Sequence, residues 1–204
     1  MVSQHADYLK ISIQAPITLL LVAGALAATF IPGSTALLAL QPASPVNCLN
    51  PLWYLGLFGH VFVHAGIVHW ANNMALILLL APALEKQLGS LRFLITLTAL
   101  TFFIGISEAG ILMFTRHTVV GASGLVFALI LGSTFSQSRQ GEIPLASLLV
   151  AVLWGIKEIG GLFTADAIAN SAHLIGALWG FIWGLWFLPK ANPETETIMA
   201  PVPG

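Results

Sequence analysis

Six long apolar segments alternate with short polar stretches along this chain. They comprise residues 13–31, 68–84, 91–114, 119–135, 143–163 and 172–188. A helix needs about 20 apolar residues to cross the hydrocarbon core of a bilayer, and most of these segments approach that length. Polar or turn-forming residues close the segments, for example Pro32-Gly33 after the first and Pro189-Lys190 after the last. The pattern predicts an all-α, polytopic membrane helix bundle with six transmembrane helices.

The same pattern divides the chain into three parts. Residues 1–12 are expected to be a short cytoplasmic N-terminus, residues 13–190 a six-span domain, and the polar, Pro-rich residues 191–204 a disordered cytoplasmic tail. An alternative for the first segment is a cleaved signal peptide, because Lys10 precedes the apolar stretch and Ala25-Leu26-Ala27 loosely resembles a cleavage site. The apolar run continues past this triplet to Ile31, which favours a span.

Composition supports a lipid-embedded chain. Hydrophobic residues make up 57% of the 204 positions and charged residues only 7%, whereas a soluble domain carries about a quarter charged residues. The lipid bilayer is therefore the expected surrounding. The net charge of -1 provides no basic patch, which argues against a nucleic-acid partner.

The distribution of Lys and Arg predicts the orientation. With the N-terminus inside, Arg116 lies on the outer side, and the inner segments hold Lys10, Lys86, Arg92, Arg139 and Lys190. Positive residues are enriched in cytoplasmic loops, so both termini are expected in the cytoplasm. So small a chain, with almost no extramembrane part, is typical of bacteria. We therefore expect an inner-membrane protein whose outer helix ends face the periplasm.

Polar residues interrupt three spans near their predicted outer ends. They are His69, Asn72 and Asn73 in the second span, Ser123 in the fourth and His173 in the sixth. Polar residues inside a span are costly and mark candidate functional sites. Because these three spans run in the same direction, their polar residues are expected at a similar depth.

Ser123 lies in a run of small residues, Gly121-Ala122-Ser123-Gly124. If regular helix begins only near Ser123, about 13 residues remain before Phe135, which is roughly 20 Å of helix. This is less than a hydrocarbon core of about 30 Å. Ser123 would then lie below the membrane surface, and the irregular backbone before it would line a cavity that admits water. A hydrolase inside a membrane needs such a cavity.

Small residues recur every four positions in two spans. The fourth span has Gly124, Ala128 and Gly132, and the sixth has Gly176, Gly180 and Gly184. Such stripes allow two membrane helices to pack with their backbones in contact. His173 is three residues before Gly176 and shares its helix face. Packing of the two stripes would therefore bring His173 towards Ser123, where an imidazole can activate a hydroxyl as a nucleophile.

Four motifs together resemble the rhomboid family of intramembrane serine proteases, in its minimal six-span bacterial form. The GASG run at 121–124 is similar to the serine motif of the family, and Ala172-His173 with the following glycine stripe is similar to its histidine helix. The HxxxN spacing of His69 and Asn73 matches the second-span motif. Residues 84–90 resemble the inner turn that follows that span. The resemblance extends over about residues 59–184.

The resemblance implies the roles of the site residues. Ser123 would be the nucleophile and His173 the general base of a two-residue dyad, and no convincing third acid is visible. His69, Asn73 and the Ser123 backbone N–H would form the oxyanion hole. The residues expected to support the dyad are Gly121, Gly124, Phe127 and Gly176. Residues 13–190 would be the catalytic domain, with no cofactor and no metal.

The resemblance also implies the substrates, which are single-span membrane proteins cut in or beside the span, usually after a small residue. They would enter between the second and fifth spans, or under residues 165–170. Many members of the family have a Trp-Arg pair in the first outer loop, whereas here Tyr54 follows Trp53. This departure puts the usual anchoring of that loop in doubt. No family role is transferred to Lys157-Glu158, and the oligomeric state stays open.

Three alternative functions remain. A non-catalytic rhomboid-like chaperone or degradation adaptor is the main one, although such proteins typically lack the serine or the histidine. A small transporter would be expected to have repeat symmetry or a charged pathway, and neither is visible. A metal site could involve His60, His64 and His69, but the HExxH motif of an intramembrane metalloprotease is absent from the sequence. A structural role is favoured for His64.

Overall fold

A computed structural model describes residues 14–42, 44–115, 118–138, 145–161 and 170–186. Its helices are α1 (Pro16–Phe30), α2 (Ser34–Leu38), α3 (Pro45–Cys48), α4 (Gly56–Gly59), α5 (Ile67–Leu88), α6 (Ser90–Thr115), α7 (Ser123–Ser138), α8 (Leu145–Gly161) and α9 (Asn170–Trp186). A 3₁₀-helix at Pro51–Leu55 precedes α4. In these ranges the extended pairing is a single antiparallel bridge between Leu40 and Val119. The all-α class predicted from the sequence is confirmed.

Two of the described helices are long and apolar enough to cross a membrane. They are α5, with 22 residues, and the Ser90–Met113 part of α6, with 24 residues. The apolar helices Pro16–Phe30 and Ser123–Thr134 are shorter. The number of six spans therefore stays a prediction. The expected N-terminal segment, residues 1–12, and the expected tail, residues 191–204, lie outside the described residues.

Each predicted span overlaps one helix of 15 or more residues, and the bounds differ by a few residues. Helix α7 begins at Ser123, and the 118–122 stretch before it is not helical, so the late start of the fourth helix is confirmed. The helix continues to Ser138, three residues past the predicted segment. The second predicted segment, 68–84, is shorter than the helix that it overlaps. Helix α5 continues through Glu85 to Leu88, and the Glu85 side chain is buried.

Glu85 is buried because it accepts hydrogen bonds at the start of α1. Its Oε1 accepts from the Ile17 backbone N–H at 3.0 Å and from Ser90 Oγ at 2.7 Å. Its Oε2 accepts from the backbone N–H and the hydroxyl of Thr18, at 2.9 and 2.8 Å. The first N–H groups of a helix have no partner within the helix and attract a negative charge. Glu85 thus joins α1, α5 and α6 at one end of the bundle.

Helices α7 and α9 pack with their backbones in contact along the two small-residue stripes. A Cβ atom placed on Gly176 would collide with the Gly124 carbonyl, and one placed on Gly180 would collide with the Ala128 backbone. A third contact lies between Gly184 and Gly132. The interface predicted from the stripes is therefore confirmed. It places the first turns of α7 and α9 side by side.

The long connection between α1 and α5 reaches the chain just before α7. The Leu40 and Val119 backbones exchange two hydrogen bonds of 3.0 Å. Trp53 is fixed within the connection, since its indole N–H donates to the Gln41 carbonyl at 3.0 Å. The Tyr54 hydroxyl donates to the Cys48 carbonyl at 3.2 Å. These bonds anchor the connection without the Trp-Arg pair that the resemblance led us to look for.

Candidate active site

Ser123 is the first residue of α7 and is partly buried. The turn before it depends on Gly121, whose φ of 106° is unfavourable for residues with a side chain. The Gly121 N–H donates to the His60 carbonyl at 2.8 Å. The Ala122 N–H donates to His64 Nε2 at 3.4 Å. Two bonds from the preceding connection therefore hold the backbone that presents Ser123.

His64 supports this turn as a neutral ring. Its Nε2 accepts the Ala122 N–H, so the ring proton belongs on Nδ1, which finds no acceptor in the described part of the chain. Burial, followed by the nearby His69, lowers the pKa of His64 to about 4. The neutral, accepting form is therefore maintained at neutral pH. This agrees with the structural role that the sequence favours for His64.

His173 lies in the first turn of α9 and is 6% exposed. The Phe127 ring stacks on its imidazole, with ring centroids 4.8 Å apart and an interplanar angle of 17°. Phe127 follows Ser123 by one turn of α7. On α8, Trp154 meets Phe127 edge to face at 5.3 Å. An aromatic side chain of the serine helix therefore fixes the plane of the His173 ring.

The turns that carry Ser123 and His173 are in direct contact. A Cβ atom on Gly124 would lie 2.8 Å from the Ala172 carbonyl oxygen. Gly124 follows Ser123 in the chain, and Ala172 precedes His173. Gly176, one turn after His173, meets the Gly124 backbone as well. The hydroxyl and the imidazole thus belong to adjoining turns, at the same end of the α7–α9 interface.

His69 and Asn73 approach the same turn from α5. A Cβ atom on Gly121 would lie 2.9 Å from His69 Nε2 and 3.4 Å from Asn73 Nδ2. Asn73 is buried, and its Nδ2 has no acceptor among the described residues. Asn72, the competing amide, is exposed. A hydroxyl, an imidazole and N–H donors at one depth are the components of a nucleophilic hydrolysis site.

Glu108 is a buried acid that the sequence analysis missed. It lies within α6, is 0% exposed, and its Oε2 accepts from the Ser171 hydroxyl at 3.1 Å. Its Oε1 has no partner in the described ranges. The signal was available, since an ionisable residue inside a span marks a candidate site. It was overlooked because Glu108 lies in the third span, outside the set of parallel spans that carry the motifs.

The remaining expectations concern Lys157-Glu158, the entry loop and a metal site. The Lys157 and Glu158 side chains and the proposed entry loop at 165–170, except Asn170, lie outside the described residues. His60 Nδ1 lies 2.9 Å from the Gly56 carbonyl. Within the described residues, no group of three potential ligands (His, Cys, Asp or Glu) that could hold a metal is found.

Comparison with known proteins identifies a family and several relatives of this chain. A sequence model of the rhomboid domain matches residues 51–190. Rhomboid protease GlpG of Yersinia enterocolitica is 29% identical over 144 residues, which are 67% of this chain and 49% of that protein. Putative rhomboid protease YdcA of Bacillus subtilis is 30% identical over 135 residues, covering 65% and 66% of the two chains. RHOMBOID-like protein 2 of Arabidopsis thaliana is 31% identical over 136 residues, covering 66% and 42%.

The matched region is about half or less of the length of most of these relatives, as the coverage of 49% for GlpG and 42% for the plant protein indicates. The domain match at residues 51–190 includes α5 to α9 and all the candidate site residues. The domain match extends over more than half of this chain. The chain therefore belongs to the rhomboid family, whose domain is a membrane-embedded helix bundle.

Proposed function

We propose that this protein is an intramembrane serine endopeptidase, with Ser123 as nucleophile and His173 as general base, that cleaves single-span membrane proteins in or near their spans. The observation that carries the proposal is the contact between the Ser123 turn of α7 and the His173 turn of α9. The names of two bacterial relatives, a rhomboid protease and a putative rhomboid protease, support it.

In the proposed reaction, His173 accepts the proton from Ser123 Oγ as this oxygen attacks the scissile carbonyl carbon. The resulting oxyanion accepts hydrogen bonds from His69 Nε2, Asn73 Nδ2 and the Ser123 backbone N–H, each worth about 3–4 kcal/mol in the transition state. His173 then donates its proton to the leaving amine. Water hydrolyses the acyl-enzyme, with His173 again as the base. Phe127 supports each step by fixing the plane of the imidazole.

We further propose that residues 13–190 form six spans of a bacterial inner-membrane protein, with both termini cytoplasmic and the active site open to the periplasm. The bias of Lys and Arg supports this orientation. Cys48, the one cysteine of the sequence, lies in the α1–α5 connection and tests it. A membrane-impermeant maleimide should label Cys48 in intact cells, and should label Lys86→Cys in a Cys48→Ser background only after lysis. The reverse pattern would overturn the orientation.

The activity is tested with purified protein in liposomes that also hold a single-span substrate with a small residue near its outer end. The wild type should release the cleaved fragment, and Ser123→Ala and His173→Ala should not. Ser133→Ala, ten positions further along α7, is the matched control and should retain cleavage. A fluorophosphonate probe should label the wild type and fail to label Ser123→Ala.

The outcomes separate the candidate functions. Cleavage that survives Ser123→Ala would exclude the serine mechanism and favour the metal alternative. A folded wild type that binds the substrate without cleaving it would favour the adaptor function. Loss of cleavage in both dyad variants, together with retained activity in Ser133→Ala, is the expected result.

A further inference from the structure

The buried acid Glu108 takes no part in the reaction proposed above. Ionisable side chains inside a membrane span are costly, and they persist where a function requires them. Glu108 is completely buried, and one of its oxygens accepts from the Ser171 hydroxyl at 3.1 Å. The other oxygen has no partner among the described residues. A purely structural glutamate would be expected to have both oxygens satisfied, so this one calls for another explanation.

Ser171 gives Glu108 a connection to the candidate general base. Helix α9 begins at Asn170, so Ser171 and His173 share its first turn. The glycine stripe fixes this turn against α7, and Phe127 fixes the imidazole plane. On the side that faces α6, Ala172 of this turn belongs to one buried cluster with Ala109 and Leu112. There, the Glu108–Ser171 bond ties the start of α9 to α6.

A second contact between α6 and α9 lies further along α9 and slightly earlier in α6. The Trp179 indole N–H donates to Ser107 Oγ at 3.1 Å, and the Trp179 ring stacks on Phe103 with centroids 4.6 Å apart. This contact is about two turns beyond the start of α9. It holds the body of the helix, whereas the Glu108–Ser171 bond acts on the first turn. The Ser107–Trp179 and Glu108–Ser171 bonds therefore restrain different parts of α9.

We propose that Glu108 and Ser171 form a positioning pair that sets the first turn of α9 and, through it, the position of the His173 imidazole relative to Ser123. The inference rests on the proposed function of His173 as general base. Glu108 contacts Ser171 rather than the imidazole, so it is a positioning residue and not the third member of a catalytic triad. A displacement of about 1 Å at a catalytic group can reduce a rate about a hundredfold, so a modest shift of this turn is sufficient to matter.

The test combines kinetics with nuclear magnetic resonance of the full chain in detergent micelles. The kinetic variants are Glu108→Ala, Glu108→Gln, Ser171→Ala and the double variant Glu108→Ala/Ser171→Ala, with Ser107→Ala as the matched control that removes the other α6–α9 hydrogen bond. Glu108→Ala and Ser171→Ala should each lower kcat about tenfold with little change in KM. The double variant should be no slower than either single variant, because both remove the same bond. Glu108→Gln keeps an acceptor for the Ser171 hydroxyl and should restore most of kcat.

The resonance experiment does not depend on cleavage. With ¹⁵N-labelled histidine, the His173 signals are assigned by their loss in His173→Ala. They should shift in Ser171→Ala and Glu108→Ala, and stay unchanged in Ser107→Ala. Unchanged His173 signals in both Ser171→Ala and Glu108→Ala would overturn the inference, as would a fall in Tm without a change in kcat. Shifted signals in a protein that cleaves nothing would support the positioning pair and contradict the proposed function.

Discussion

Two buried glutamates, Glu85 at the end of α5 and Glu108 in the second half of α6, are bonded very differently. Glu85 lies beside the start of α6, where four hydrogen bonds satisfy both of its oxygens. Glu108 lies 18 positions beyond Ser90, about 27 Å along the helix. It has one hydrogen bond from Ser171 and an oxygen with no partner in the described residues. Both acids are equally hidden from solvent, so burial alone does not separate them.

The difference extends to the surroundings of each acid. Around Glu85, every polar contact joins one helix to another. Around the far end of α6, the buried atoms that find no partner among the described residues include Asn73 Nδ2, His64 Nδ1 and Glu108 Oε1. A buried donor without a partner costs about 1–3 kcal/mol, and a fold tolerates that cost where a substrate supplies the missing partner. We infer that the end of the bundle at Glu85 stabilises the fold and that the end at Glu108 holds the reactive groups.

After the dyad variants, which should abolish cleavage, the largest expected effect of a single change at the far end is the loss of kcat in Asn73→Ala. Removing one oxyanion donor reduces kcat about 10²–10³-fold, so Asn73→Ala should lose this factor and keep its Tm, since its Nδ2 has no acceptor to lose in the described residues. Cleavage assays and thermal unfolding in detergent measure the two quantities. Asn72→Ala, at the exposed neighbouring amide, should be unchanged in both. An equal loss of kcat in Asn72→Ala would contradict the assigned oxyanion hole.

At the end of the bundle that holds Glu85, the expected effect is on the free energy of unfolding. Glu85→Ala removes four hydrogen bonds and leaves the Ile17 and Thr18 N–H groups without their acceptor, which should lower the free energy of unfolding by about 3 kcal/mol. The kcat of the protein that remains folded should not change. Gln87→Ala, in the exposed last turn of α5, is the control and should have no effect. If Glu85→Ala lowered kcat without lowering Tm, the division between the two ends would be wrong.

A smaller effect is expected along the interface that connects the two ends. Gly180→Ala places a methyl group against the Ala128 backbone, and overpacking of this kind should destabilise the protein by about 2 kcal/mol. Gly155→Ala in α8 meets nothing within 4 Å in the described structure. It should stabilise the protein by up to about 1 kcal/mol, because alanine is the better helix former. Opposite shifts of Tm are expected, and shifts of the same sign would contradict the close packing of α7 and α9.

The smallest expected effect is on the pH dependence of stability. The pKa of His64 is about 4 in the folded protein and 6.5 when unperturbed. Between pH 4 and pH 6.5, the His64 imidazole is protonated in the unfolded chain and neutral in the folded protein. The stability is therefore full above pH 6.5 and decreases as the pH falls towards 4. Because solvent screens part of this effect, we expect His64→Gln to remove about 1 kcal/mol of the loss between pH 7 and pH 5. Buried His60, whose pKa is also about 4, should maintain a decrease in the variant.

The sequence predicted those parts of the fold that depend on local patterns. The apolar segments located the long helices, and the spacing of small residues identified the contact between Gly176 and Gly124. The resemblance favoured Asn73 through its HxxxN spacing, but the side chains alone could not separate Asn72 from Asn73, because that choice depends on the rotation of α5 about its axis. The sequence also could not reveal that Glu85 binds the start of α1 or that Glu108 binds Ser171, since these partners are more than 60 positions away in the chain. Pairs of that kind depend on how the helices assemble, and no periodicity within one helix encodes them.

The backbone bonds between the α1–α5 connection and the chain before α7 have a consequence for divergence among homologues. Leu40 pairs with Val119 through main-chain atoms alone, and the His60 carbonyl holds the Gly121 N–H in the same way. Side-chain substitutions in the connection leave such bonds in place as long as the backbone keeps its path. Apart from His64, whose ring accepts the Ala122 N–H, and Trp53, the connection can therefore accumulate substitutions while the geometry around Ser123 is retained. A lineage can in this way lose a signature such as the Trp-Arg pair without losing the nucleophile turn.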